Sequence, residues 1–220
     1  MTRPKVMIAV PTLSMVHTEF MSSILALDTD CADVHVAIEA NSLVYDARNH
    51  LCMKAYEDCK ADYVLWIDSD MVFEPDIISR FLKHMEDGKE FVCGIYFARK
   101  LPTSPVIAKE IKWDQDKNNT ITHDVTKFTD YPKDQVFEIA GCGLACCMMS
   151  TKLIFETAAA FGMSPFEPLP GLSEDYSFCW RIGKRGIKMY CDSTIKVGHV
   201  GTYLFTEKTW LNQEKRKENK

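Results

Sequence analysis

The chain has 220 residues, of which 46% are hydrophobic and 26% charged, and its formal net charge is −5. This length suits one domain with a sizeable core, and the composition is ordinary for a globular protein. The negative balance argues against nonspecific binding to nucleic acid, which needs a basic surface. No stretch approaches the roughly 18 apolar residues of a membrane span, and no signal peptide is recognisable. We therefore expect a cytoplasmic protein with no membrane span and no nucleic-acid partner.

Nine cysteines are scattered along the sequence. Their odd number and irregular spacing favour buried free thiols in a reducing compartment. Cys142, Cys146 and Cys147 could form half of a zinc site. No second pair of Cys or His lies at a suitable spacing, so core thiols are the favoured interpretation.

The first half of the chain alternates apolar runs with helical patterns. Strands are predicted at 5–10, 33–38, 63–67 and 90–97, and helices between them at 17–27, 44–60 and 74–88. This order is typical of a parallel, doubly wound sheet. The Gly-x-Gly-x-x-Gly loop of dinucleotide folds is absent from this half, so a metal ion is the obvious means of binding phosphate.

The second half is less regular. Residues 99–136 contain prolines and a polar run, which favour a hairpin with loops. Residues 137–149 predict one strand with a kink at Gly141 and Gly143, since glycine allows a backbone or a ligand to approach closely. Further along, the pattern predicts helices at 151–161 and 173–185, short strands at 187–191 and 194–197, and a frayed polar tail at 207–220.

The most informative stretch is the uninterrupted apolar run Tyr63–Ile67, which leads directly to Asp68 and Asp70. Such a run predicts a buried central strand, and open α/β sheets bind their ligands at the carboxyl ends of the strands. Two carboxylates suit Mg²⁺ or Mn²⁺, which in turn hold a diphosphate. The alternative is a solvated turn, because Asp-x-Asp triplets arise often by chance.

Several other motifs accompany Asp68-Ser69-Asp70 in a definite order. They are the strand end Pro11-Thr12, the helical Ala47-Arg48-Asn49, the glycine-rich strand, Glu174-Asp175 at a helix start, and Gly198-His199. This combination, over residues 5–205, resembles the nucleotide-diphosphate-sugar glycosyltransferases of the GT-A fold, in particular the compact soluble ones of bacteria, phages and large DNA viruses. The resemblance implies an α/β, Rossmann-like single domain with a mixed, mostly parallel central sheet flanked by helices.

The resemblance also implies an activity. The chain would be a metal-dependent glycosyltransferase that moves a sugar from a nucleoside-diphosphate sugar to a hydroxyl of a saccharide or glycoprotein glycan. A UDP-sugar such as UDP-glucose is favoured by family frequency alone, with Mn²⁺ or Mg²⁺ as the metal. The glycosyltransferase domain would span 1–206, with a nucleotide-binding half at 1–98 and an acceptor and metal half at 99–206. The linkage, the stereochemical outcome and the oligomeric state stay open.

By this resemblance, the metal ligands are Asp68, Asp70 and His199. Asp70 matches the usual ligand, while the carboxylate at the position of Asp68 often contacts ribose, or the metal through water. Neutral imidazole binds Mn²⁺ well, and the glycines beside His199 leave room for a ligand. The alternative for His199 is a structural histidine near a turn.

The resemblance assigns catalysis to Asp175 and Glu174. In inverting members the residue at Asp175 deprotonates the acceptor hydroxyl as general base, and we expect Glu174 to bind the acceptor. Acidic residues are also ordinary at the start of a helix, where free backbone N–H groups hold them. That structural role is the alternative for both residues.

Contacts to the donor are expected from Pro11, Thr12, Arg48, Asp68, Ser69 and Gly141. Pro11 and Thr12 would contact the base, largely through backbone atoms. Arg48 could hold base, ribose or diphosphate, because guanidinium suits a bidentate grip on phosphate, or it could pair with Asp46 or Asp68. Gly141 fits a strand that passes under the donor sugar.

Three other functions stay open at this point. Haloacid-dehalogenase-type phosphotransferases also place Asp-x-Asp after a hydrophobic strand, but normally after the first strand. A sugar nucleotidyltransferase needs a glycine-rich, arginine-containing loop after the first strand, and Pro11–Thr18 has no glycine. A non-catalytic module that binds sugar nucleotides would keep Asp70 and His199 but tolerate loss of Asp175.

Overall fold

The computed structural model describes residues 3–201, 204 and 206–218. The strands are β1 (Lys5–Pro11), β2 (Asp33–Glu39), β3 (Tyr63–Ile67), β4 (Met71–Val72), β5 (Phe91–Ile95), β6 (Ile107–Gln115), β7 (Ile121–Lys127), β8 (Val136–Ile139), β9 (Gly141–Cys142), β10 (Cys146–Ser150), β11 (Met189–Lys196) and β12 (Gly198–His199). The helices are α1 (Thr18–Leu25), α2 (Val44–Met53), α3 (Ile77–Glu86), α4 (Thr151–Phe161), α5 (Glu174–Lys184) and α6 (Glu207–Glu218), and a π-helical turn, Lys54–Asp58, continues α2.

A seven-stranded sheet lies at the centre, in the order β2-β1-β3-β10-β5-β11-β8. Strand β1 pairs in parallel with β2 and β3, and β5 pairs in parallel with β11. The antiparallel strands are β10, between β3 and β5, and β8 at one edge. The sheet is therefore mixed and mostly parallel, as the resemblance implied, and its two antiparallel strands come from the second half of the chain.

The apolar run of β3 serves both faces of the sheet. Trp66 packs in the core on one face, and Leu65 and Ile67 pack on the other, because successive side chains of a strand alternate. Helices α2, α4 and α5 cover the Trp66 face, and α1 and α3 cover the opposite face. Because helices cover both faces of the sheet, β3 has no charged residue before Asp68.

Strand pairings in the second half differ from the sequence prediction. The single strand expected over 137–149 is three strands, β8, β9 and β10, in two different sheets. The β6–β7 hairpin agrees with the hairpin that the sequence predicted. Strand β9 pairs with β6 of this hairpin, while β10 enters the central sheet. The two strands expected over 187–197 are one strand, β11. Apolar and glycine patterns are local, whereas pairing depends on distant partners.

The predicted frayed tail is wrong for its described part, which forms α6. Trp210 of this helix is buried and stacks on Phe97, with ring centroids 5.5 Å apart. The Tyr131 ring packs on the same indole at 5.7 Å. A polar helix of this length is marginal alone, so its packing on the core accounts for its order.

The state of the cysteines and the character of the helices bear on two of the predictions made from composition. All nine cysteines are free; Cys31 and Cys59 are half-buried and the others are buried. In the described ranges, none of the helices has both the length and the apolar character required to cross a bilayer.

Candidate active site

A cleft of about 420 Å³ opens at the carboxyl ends of β1 and β3. The loop Pro11–Met15, the start of α2 and the residues Asp68, Ser69 and Asp70 line it. This is the edge of the sheet at which α/β folds bind ligands, and the volume lies in the range of small-molecule sites. The cleft therefore brings together most of the residues that the sequence assigned to the donor.

Hydrogen bonds join the loops on the two sides of the cleft. The Ser69 hydroxyl donates to Thr12 Oγ1 at 3.0 Å, and Thr12 donates to the carbonyl of Met15 at 2.6 Å. The His17 amide donates to the Ser69 carbonyl at 3.0 Å. His17 also lines the cleft, although no role was assigned to it from the sequence. Its position shortly after the end of β1 is the sequence signal that could have placed His17 at the cleft.

Arg48 lies inside the protein rather than at the cleft surface. Its side chain is 2% exposed, and it donates to Asp68 Oδ1 at 3.1 Å and to Glu174 Oε1 at 3.4 Å. The guanidinium also lies over the Trp66 ring, 5.3 Å from the centroid. Of the two interpretations of Arg48, the ion pair with Asp68 is the one that the structure contains. Arg48 does not line the cleft.

The charges in this group shift one another's pKa. Burial opposes the charged guanidinium, but the carboxylates of Asp68 and Glu174 outweigh it and raise the pKa of Arg48. Burial also raises the pKa of Asp68, against the opposing effect of Arg48. Arg48 thus keeps its charge and favours the ionised form of a carboxylate at the cleft wall.

Asp70 and His199 meet because β12 pairs with β4, which places His199 opposite Met71. His199 Nε2 lies 3.6 Å from Asp70 Oδ2, and both side chains are about seven-eighths buried. His199 Nδ1 lies 2.8 Å from the carbonyl of Phe97. A carbonyl only accepts, so Nδ1 carries the proton, and in neutral His199 the Nε2 lone pair faces Asp70.

The donor set at this point fits a divalent cation. Asp70 Oδ1 is buried without a hydrogen-bond partner, and the Nε2 lone pair of His199 faces the same carboxylate. Within residues 3–201, 204 and 206–218, no three His, Cys, Asp or Glu side chains group closely enough to hold a metal. Mg²⁺-type ions often use one or two protein ligands and complete their shell with substrate phosphate and water. Asp70 and His199 fit that mode.

Arg99 forms a second contact with Asp70. Its Nη1 lies 2.7 Å from Asp70 Oδ2 and also donates to the carbonyl of Val200 at 3.4 Å. Burial alone would raise the pKa of Asp70, but a hydrogen bond from the imidazolium form of His199, its charge and the charge of Arg99 outweigh burial and lower this pKa. Arg99 lies shortly after the end of β5, a position from which a side chain can line a site at the edge of the sheet. Its pairing with Asp70 was not predicted.

Asp175 lies at the start of α5, where free N–H groups favour a carboxylate. Its Oδ1 accepts from the Tyr176 amide at 2.7 Å and from the Ser173 hydroxyl. Burial, together with the charge of Glu174, raises the pKa of Asp175 to about 6. A carboxyl group with that pKa can accept a proton near neutral pH.

The two glycines of the kinked segment have different surroundings. A Cβ on Gly141 would lie 2.6 Å from Ile111 and 2.7 Å from Cys179, so this glycine allows α5 to pack closely, and no ligand contact is needed to explain it. A Cβ on Gly143 would lie 2.2 Å from the Tyr96 hydroxyl and 3.4 Å from Asp175 Oδ2. Gly143 is the glycine beside the candidate catalytic carboxylate.

The sequence profile described as glycosyl transferase family 2 matches residues 31–152, which is more than half of the chain. The chain belongs to glycosyl transferase family 2. It is therefore a glycosyltransferase, and the phosphotransferase, nucleotidyltransferase and binding-module alternatives are set aside. The matched span of this family 2 enzyme includes Asp68 and Asp70 but ends before Asp175 and His199.

Solved structures share the fold of this family 2 enzyme. The crystal structure of A197 from STIV has a TM-score of 0.62 and 15% identity, over 92% of this chain and 93% of that chain. GalNAc-T7, solved with UDP, GalNAc and Mn²⁺, has a TM-score of 0.59 and 10% identity, over 90% of this chain and 43% of that chain. At these identities the likeness shows the fold alone, which is the predicted GT-A fold. No curated protein matches the chain in sequence.

Proposed function

We propose that this family 2 enzyme is metal-dependent and transfers a sugar from a nucleoside-diphosphate sugar, with UDP as the favoured nucleotide, to a hydroxyl of a saccharide or glycan. The observation that carries the proposal is the approach of Asp70 to His199 at 3.6 Å beside the cleft. The presence of UDP and Mn²⁺ in the GalNAc-T7 structure supports the choice of nucleotide and metal.

The first half of the chain, 1–98, would bind the nucleotide. The backbone of Pro11 and Thr12, at the end of β1, is our candidate for the contact with the base. Asp68 and Ser69 line the same cleft, and the Asp68 side chain is 31% exposed. Because Arg48 holds one oxygen of Asp68, the rest of this carboxylate is available to ribose or to a metal-bound water.

The second half of the chain, 99–206, would supply the metal and acceptor contacts. Asp70, from the first half, and His199 would hold Mn²⁺ or Mg²⁺, and when bound, this ion would neutralise the charge that develops on the departing diphosphate. The hydrogen bond from His199 Nδ1 to Phe97 orients the imidazole for that role.

Asp175 is our candidate for the general base. In an inverting transfer, the acceptor oxygen bonds to the anomeric carbon, the bond from that carbon to the diphosphate oxygen breaks, and the acceptor proton passes to Asp175. The raised pKa of Asp175, about 6, leaves the carboxylate mainly ionised at neutral pH. Glu174, anchored by Arg48, is assigned to the acceptor side of the site.

A donor screen tests this proposal. The purified chain is incubated with a panel of UDP- and GDP-sugars, with Mn²⁺, with Mg²⁺ or with EDTA, and with or without saccharide acceptors. We expect release of a nucleoside diphosphate that depends on the metal and stops with EDTA. Equal release in EDTA would contradict metal dependence, and release of pyrophosphate would contradict sugar transfer.

A further inference from the structure

Two groups approach the same oxygen of Asp70. Arg99 Nη1 lies 2.7 Å from Oδ2, and His199 Nε2 lies 3.6 Å from it. Arg99 also lines the cleft and is 46% exposed, whereas Asp70 is 14% exposed. The guanidinium thus covers the carboxylate from the cleft side, at the oxygen that faces His199.

We propose that Arg99 is an exchangeable counter-ion. It holds Asp70 while the cleft is empty; when donor and metal bind, it releases Asp70 to the metal and pairs with the diphosphate. This inference rests on the proposed function, because it needs a divalent ion at Asp70 and a diphosphate in the cleft. It assigns a donor contact to Arg99, which lines the cleft, whereas Arg48 is buried and paired with Asp68 and Glu174.

The exchange follows from charge. A divalent cation bound by Asp70 and His199 and a guanidinium on the same carboxylate oxygen would repel each other strongly at such short distances. Arginine keeps its charge at any accessible pH, so the repulsion is relieved only by movement. The half-exposed side chain of Arg99 has room to move into the cleft.

A diphosphate in the cleft offers Arg99 a new partner. Guanidinium forms paired, charge-assisted hydrogen bonds to phosphate oxygens. The next residue, Lys100, is exposed and does not line the cleft. Arg99 is therefore the residue that we assign to the contact with the diphosphate. The first half of the chain otherwise lacks a glycine-rich phosphate loop.

The exchange predicts that metal and nucleotide assist each other. Metal alone must break the contact between Arg99 and Asp70 without compensation. With a nucleoside diphosphate present, Arg99 gains an anionic partner and the metal gains phosphate ligands. Each ligand then raises the affinity of the other by the same factor, as linkage requires.

Binding of Mn²⁺, followed by the loss of the electron paramagnetic resonance signal of the free ion, tests the exchange without any turnover. Wild type, Arg99→Gln and Lys100→Gln are titrated with Mn²⁺ alone, with UDP and with GDP. Without nucleotide, Arg99→Gln should bind Mn²⁺ about two- to fivefold more tightly, the range expected for removal of a partly exposed ion pair. With Mn²⁺ present, its affinity for the nucleoside diphosphate should fall about tenfold. Lys100→Gln should behave as wild type.

A second variant separates charge from shape. Arg99→Lys keeps a cation near Asp70 but loses the paired geometry toward phosphate. It should bind Mn²⁺ alone about as weakly as wild type and bind the nucleotide less tightly. Because Arg99 is half exposed, both variants should unfold within about 4 °C of the wild-type temperature, which differential scanning fluorimetry checks.

Each outcome distinguishes the two proposals. If wild type binds neither UDP nor GDP with Mn²⁺, the proposed function fails, and the exchange fails with it. If wild type binds a nucleotide, but Arg99→Gln has unchanged or weaker affinity for Mn²⁺ alone, only the exchange is overturned. Unchanged nucleotide affinity in Arg99→Gln also overturns the exchange and leaves the proposed function intact.

Discussion

Arg48 Nε lies 3.4 Å from Glu174 Oε1, although 126 positions separate the two residues. The same guanidinium holds Asp68 at 3.1 Å. One buried charge therefore connects the end of β3, which we assign to the donor, with the start of α5, which we assign to the acceptor. Through Arg48, the two sides of the site are thus linked by ion pairs.

Replacement of Arg48 by Met should destabilise the fold strongly. The substitution leaves Asp68 and Glu174 without their shared partner, and loss of one member of a buried ion pair costs about 3–5 kcal/mol. Urea denaturation measures the change in the free energy of unfolding. Lys112→Met is the control, because its ion pair with Glu110 is exposed and should contribute less than about 1 kcal/mol. Equal losses in the two variants would contradict a structural role for Arg48.

Asp70→Ala should remove metal-dependent nucleotide binding. In the presence of Mn²⁺, the affinity of the variant for UDP should fall at least about tenfold, since Asp70 is the carboxylate of the proposed two-ligand set. It should then equal the affinity that the wild type shows for UDP in EDTA. Isothermal titration calorimetry measures both. Asp130→Ala, at an exposed aspartate that does not line the cleft, should bind as wild type. Unchanged affinity in Asp70→Ala with Mn²⁺ would rule out this carboxylate as a ligand.

The pH dependence of transfer should follow Asp175. A general base must be ionised in the free enzyme, and burial raises the pKa of Asp175 to about 6. We therefore expect kcat/KM to rise with pH through about 6 and to fall about tenfold per pH unit below it. Asp175→Asn should lose transfer and keep its affinity for the nucleotide. A variant with full activity, or a flat profile between pH 5 and 7, would remove Asp175 from catalysis.

Gly143→Ala should displace Tyr96 and disturb Asp175. The new Cβ would lie 2.2 Å from the buried Tyr96 hydroxyl and 3.0 Å from Val106, and such overpacking costs about 1–3 kcal/mol. Adding Tyr96→Phe removes the clashing oxygen and should recover part of the stability. Gly183→Ala, whose Cβ would contact nothing within 4 Å, should be stabilising because it adds a helix former. Thermal denaturation of the wild type and these three variants checks the predicted order of stabilities.

Trp210→Ala should separate α6 from the core. Its indole stacks on Phe97 and packs against Tyr131, and truncation of a buried aromatic costs about 3–5 kcal/mol. Leu211→Ala, at a side chain that is 38% exposed, should change the free energy of unfolding by less than about 0.5 kcal/mol. Chemical denaturation gives both values. A small effect of Trp210→Ala would mean that α6 adds little to the fold.

Local patterns account for the parts of the fold that the sequence predicted. The apolar run of β3, the amphipathic helices and the β6–β7 hairpin are encoded by residues a few positions apart. The same patterns placed Asp68 and Asp70 at the carboxyl end of a buried strand. The partition of 137–149 among three strands and the packing of α6 depend on distant partners, so periodicity did not predict them.

By itself, the sequence determined an α/β domain with paired carboxylates at a sheet edge, because side-chain alternation and helix spacing are short-range properties of the chain. Only the tertiary structure decided which charges meet. It buried Arg48 between Asp68 and Glu174, brought His199 to Asp70 through the β4–β12 pairing, and set Arg99 on the same carboxylate. The physical reason is that electrostatic partners are chosen by distance in space, and the packing of the sheet decides that distance.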